Sequence, residues 1–132
     1  MEKPIINFVH LCDTAFFSQD GKLNVIGMFK TINAGKFPAF HPKLSVVLDV
    51  NITESTKLKI QILKKDTGET IAKIEGNLDK KNDSQKEHEM CFISDFNNVK
   101  FEEPGSYRVE IWIGDELLAT RPFVVNLLKE TK

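Results

Sequence analysis

The chain has 132 residues, 41% apolar and 28% charged, with 18 basic against 19 acidic side chains and a net charge of −1. That length fits one domain, residues 1–132, whose core needs no disulfide or metal staple, and the composition excludes a disordered chain. The charge balance gives no electrostatic reason to expect nucleic acid or an anionic membrane as partner.

The first predicted element is a strand at about Ile5–Phe17, apolar on both faces: Ile6, Phe8 and Phe16 oppose Ile5, Val9, Leu11 and Phe17. Asn7, His10 and Asp13 break its apolar run, which excludes a signal-peptide core and makes the cytoplasm the expected location. No run approaches the roughly 18 apolar residues of a membrane helix. Asp20-Gly21 turns the chain into a second strand, about Leu23–Ile32, where Ile26 and Met28 oppose Leu23, Val25 and Phe29. A strand that is apolar on both faces is expected to be covered on both. Which face lies in the core is left open by the pattern. Asp13, a carboxylate in such a strand, is expected to be structural, bonding backbone amides or pairing with Arg121.

Residues 33–42 carry two prolines and a glycine and read as irregular. Phenylalanines in a loop cost solvation unless covered, so Phe37 and Phe40 are expected to plug an open end of the fold. The alternative is that Phe37, Phe40 and His41, with Trp112, form a patch for a partner or ligand. Next, Leu44, Val46, Leu48, Val50 and Ile52 alternate with Ser45, Val47, Asp49 and Asn51, a strand with one core face and one mostly wet face. Strands at Leu58–Lys64 and Thr70–Leu78 flank the turn Asp66-Thr67-Gly68. The polar run 79–87 reads as a solvated loop before a strand at Glu87–Phe96. Pro104-Gly105-Ser106-Tyr107 opens a strand to Ile113, and a tyrosine at such a corner is expected to bury its ring and bond its hydroxyl to upstream backbone. Gly114-Asp115 makes a hairpin into Glu116–Leu127. The sum is an all-β fold, an antiparallel eight-stranded β-sandwich of immunoglobulin-like type.

Leu11-Cys12-Asp13, Gly21-Lys22-Leu23, Ile26-Gly27-Met28-Phe29, Phe37-Pro38, His41-Pro42 and Pro104-Gly105-Ser106-Tyr107, in that order, resemble a bacterial domain-of-unknown-function family. The resemblance covers nearly the whole chain. It implies a compact β-sandwich and brings neither an activity nor catalytic residues.

The residue types of a metal site occur, His10 with Cys12 and His88 with Cys91, but the second pair is three apart and would face opposite ways on a strand. No metal, cofactor or phosphate loop is therefore expected. Cys12 beside Asp13 has the makings of a thiol nucleophile, yet a cysteine in an apolar strand is ordinarily a small core hydrophobe. Both cysteines are expected to be free and buried, and no catalytic residue is assigned. The expected function is non-enzymatic: a binding or assembly module that pairs with itself or with an unidentified protein. The alternatives are a carbohydrate- or small-molecule-binding module using Trp112, and an enzyme of unrecognised type.

Overall fold

The computed structural model describes residues 3–80 and 88–128. Its elements are β1 (Ile5–Phe17), β2 (Leu23–Met28), β3 (Thr31–Ala34), β4 (Ala39–Ile52), β5 (Thr56–Lys64), β6 (Thr70–Leu78), β7 (His88–Phe101), β8 (Gly105–Ile113) and β9 (Glu116–Leu127). They form two sheets, β2-β1-β4-β7 and β3-β9-β8-β5-β6. Period-two alternation puts one face of each sheet inward, so a single cluster draws Val9, Leu44, Val46 and Leu48 from the first sheet and Ile60, Ile62, Val109, Ile111 and Phe123 from the second. At one end of this core Phe101, Tyr107 and Phe123 pack ring against ring, with centroids 5.0 to 6.0 Å apart.

Among the described residues there are nine strands where the sequence predicts eight, because the apolar stretch Leu23–Ile32 divides. β2 stays on β1; the chain then crosses at Phe29 and Lys30 and continues as β3 on β9. One bond to each sheet holds the crossing: Phe29 N donates to Leu11 O at 3.1 Å, and Val124 N donates to Lys30 O at 3.0 Å. β3 is parallel to β9, so the expectation of an all-antiparallel fold is also corrected. Apolar periodicity runs through the crossing unchanged and carries no sign of which sheet supplies the partner.

The wet face predicted for β4 is not wet. All seven residues from Leu44 to Val50 are buried. β4 is the inner neighbour of both β1 and β7, and their outward side chains lean over it. Phe8, Cys91 and Ile93 thus cover a second small cluster of Cys12, Ala15 and Val47. The buried polar groups there are paired: Ser45 Oγ donates to Asp95 at 2.6 Å, and Asn7 Nδ2 donates to Asp49 at 2.6 Å.

The irregular stretch narrows to residues 35–38, since β4 begins at Ala39 and pairs as far as Phe101 of a longer β7. The predicted loop 79–87 lies outside the described residues except for Asp79 and Lys80; Lys80 N donates to Ser55 Oγ at 2.9 Å.

Candidate functional site

The loop 35–38 enters β4 beside Phe101, and its two phenylalanines part company. Phe37 packs against the core, as a plug would, while Phe40 is 62% exposed. Phe40, but not Phe37, lines a cavity of about 710 Å³ that also meets Ile32, Lys36 and Phe101. His41 lies at its margin, edge-on to the Phe29 ring at 6.1 Å. Its Nε2 is buried and has no hydrogen-bond partner among the described residues. An apolar hollow with one imidazole and one ammonium group is suited to holding a side chain or small apolar group; it lacks a paired acid and base.

Trp112 is not part of that hollow. It sits five residues along β8 from Tyr107, roughly 16 Å at 3.3 Å per residue, on the outward face of the second sheet. The ring is half-buried, with Lys59 Nζ 4.7 Å above its centroid, and its indole N–H donates to Glu110 at 3.0 Å. Glu110 is buried and also accepts from Gln61 Nε2 at 2.8 Å and Arg108 Nε at 2.9 Å. Burial pushes the Glu110 carboxyl up, but the bonds from Gln61, Trp112 and Arg108 outweigh it and hold the group below its ordinary range. The four residues of the predicted patch are therefore two separate features.

Tyr107 is buried and its hydroxyl donates to Glu103 O at 2.6 Å. Asp13 is exposed, and Arg121 reaches not to it but to backbone, Val9 O at 3.3 Å and Thr120 O at 2.8 Å. Of the two alternatives expected for Asp13, the pair with Arg121 does not form among the described residues, and an exposed carboxylate is hydrated without one.

Cys12 is wholly buried, its thiol 3.7 Å from Ser45 O; Cys91 is half-buried; both are free. Burial first, then the charge of Asp13, raises the Cys12 pKa, and burial and Asp49 raise that of Cys91. Each is thus a poorer nucleophile at neutral pH than an ordinary thiol. The His10 ring stacks on Phe8 at 5.1 Å, and among the described residues no group of His, Cys, Asp and Glu could hold a metal ion. The His88 side chain lies outside the description.

The β1–β2 hairpin carries a run of exposed apolar side chains. Ile26 is 53% exposed and Met28 61%, with Phe16 and Phe17 exposed beside them. Ile26 is opposite Thr14 and Met28 opposite Cys12 in register. The sequence flags these side chains as apolar on a second face but not that the fold leaves them bare.

These features define an all-β, two-sheet protein; among its described residues no helix is long and apolar enough to cross a membrane. Residues 7–126 match the family described as "Family of unknown function (DUF6941)", and the chain belongs to it. No curated protein matches the chain. Among solved structures it is similar to a β-glucosidase from Listeria innocua in complex with glucose, at 13% identity and a TM-score of 0.50, over 96% of this chain and 16% of that one. It therefore spans only a small part of that enzyme. It is also similar to an immunoglobulin-like protein (PA1606) from Pseudomonas aeruginosa, at 18% identity and a TM-score of 0.47, over 95% of this chain and 98% of that one. At 13% identity the likeness to the β-glucosidase speaks to fold alone.

Proposed function

We propose that the chain is an immunoglobulin-like β-sandwich whose work is non-enzymatic assembly, and that it pairs with a second copy of itself through the outward face of the β1–β2 hairpin. The observation that carries this reading is the exposure of Ile26 and Met28 next to Phe16. Each such side chain left in water forgoes roughly 1.5–3 kcal/mol of burial. A two-fold contact lets one apolar patch cover itself. The raised thiols argue against cysteine chemistry, and a cytoplasmic setting would keep Cys12 and Cys91 free. A carbohydrate platform has less support, because Lys59 occupies one face of Trp112. Sedimentation equilibrium tests the pairing: a mass near twice 15.0 kDa is expected, returning to 15.0 kDa in Met28→Glu. A parent that stays at 15.0 kDa throughout the micromolar range ends the proposal.

A further inference from the structure

On one side of the molecule both sheets end in strand edges that, among the described residues, have no hydrogen-bonded strand beside them. In the first sheet this edge is β1 from Ile5 to Val9, because β2 pairs with β1 only from Cys12 to Phe17. In the second it is β9 ahead of Val124, because β3 pairs only from there onward. The two edges run the same way, with Lys3 facing Glu116 at 3.6 Å and Val9 facing Arg121. The Phe29–Lys30 crossing closes one half of this side. Against this crossing, where it meets the free edge of β1 at Val9, lies a cleft of about 750 Å³.

The floor of the cleft is apolar, made by Val9, Leu11, Phe29 and Pro122, with Met28 at its margin. Its ionisable residues are all basic-type: His10, Lys30 and Arg121, with no Asp or Glu, in a chain whose acids outnumber its Lys and Arg by 19 to 18. Neither Lys30 nor Arg121 makes an ion pair among the described residues. Arg121 also occupies an inward register position, opposite core Val109 and two residues from core Phe123. A charge at such a position is uncommon. Here it spans the gap between the sheets, with Nε donating to the edge carbonyl of Val9 and Nη1 to Thr120 O. The other guanidinium N–H groups meet no carboxylate among the described residues.

We propose that this cleft binds an extended acidic peptide segment, which adds as a strand along the free edge of β1, in continuation of β2, and sets a carboxylate against Arg121 and Lys30. The edge backbone supplies main-chain bonds, the apolar floor takes the side chains that alternate inward, and the guanidinium fork matches a carboxylate. Charge selects this occupant over a second copy of the chain. A two-fold contact centred here would face His10, Lys30 and Arg121 with their own likenesses. The cleft shares Met28 at its margin with the self-association face but none of its basic residues, so Lys30 separates the two sites.

The test is fluorescence anisotropy of a fluorescein-labelled Glu-Val-Asp-Val-Glu-Val peptide titrated with the whole chain at low salt. Saturable binding is expected, weakening with salt and about tenfold weaker for Lys30→Glu, for Arg121→Met and for the Gln/Asn version of the peptide. N-methylation of alternate peptide amides should abolish it. Lys30 is exposed, so Lys30→Glu keeps the test decisive even where Arg121→Met unfolds. Absence of saturable binding overturns the proposal, as does binding indifferent to Lys30→Glu or to N-methylation. A doubled sedimentation mass lost in Lys30→Glu would also overturn it, by making a second copy the occupant; a mass lost only in Met28→Glu belongs to the hairpin face.

Discussion

The Tyr107 hydroxyl donates to Glu103 O from a ring that is 1% exposed. Burial raises its pKa, which keeps the hydroxyl protonated and donating to higher pH. Tyr107→Phe leaves that carbonyl without its donor, and the expected cost is about 1–3 kcal/mol, read as a lower urea midpoint at unchanged slope. A midpoint equal to the parent's would show the bond to be energetically idle. Glu110 governs a pH effect whose sign is fixed. Its carboxyl lies below the model-peptide value of 4.5 in the folded chain, so the unfolded chain binds that proton more readily. The stabilisation is complete above about pH 4.5 and is lost as pH falls through the lower folded value. As pH falls below about 4.5 the parent should lose stability more steeply than Glu110→Gln. Parallel curves would remove Glu110 from the account. The Tyr107 corner is legible in the sequence because Pro104-Gly105 precedes it; the Glu110 network is not, because Gln61 is 49 residues away.

At the scale of the elements, the β1–β2 hairpin turns on two glycines with positive φ, Gly21 at 83° and Gly27 at 71°. Asp20-Gly21 announces the turn itself. Gly27 is inside the strand and has a second reason to be glycine, since a Cβ there would run into the Asp13 carboxylate. Gly27→Ala is expected to cost roughly 1–2 kcal/mol for the backbone conformation alone, more with the crowding. Adding Asp13→Ala should recover only the crowding part. Thermal midpoints of the single and double variants check this, and a Gly27→Ala midpoint equal to the parent's would refute it. The sequence places the hairpin but continues its second strand through to Ile32. The crossing at Phe29 and Lys30 depends on bonds to Leu11 and Val124, which local pattern does not report.

For the whole molecule, the bare apolar face of the hairpin implies a linkage. Protein that folds into a dimer gains stability by mass action, so the thermal midpoint should rise with chain concentration in the parent and stay flat in Met28→Glu. A concentration-independent parent midpoint would agree with a monomer and count against the pairing. The candidate sites were only partly legible at this scale. Phe37 and Phe40 are alike as sequence, and one joins the core while the other stands 62% exposed. Arg121 enters the sequence reading only as a partner for Asp13, and only the facing edge of β1 shows what it spans.

By itself the sequence determined that this is a β protein, where most of its strands run, and that its first hairpin is apolar on two faces. These are local properties: side chains alternate with period two, and glycine and proline mark where the chain can reverse. Tertiary structure alone decided the division of the second strand between two sheets, the burial of β4 on both faces, and the cleft with its basic rim. Each of those depends on which strand lies beside which, and the free energy of that choice is spread over residues far apart in the chain.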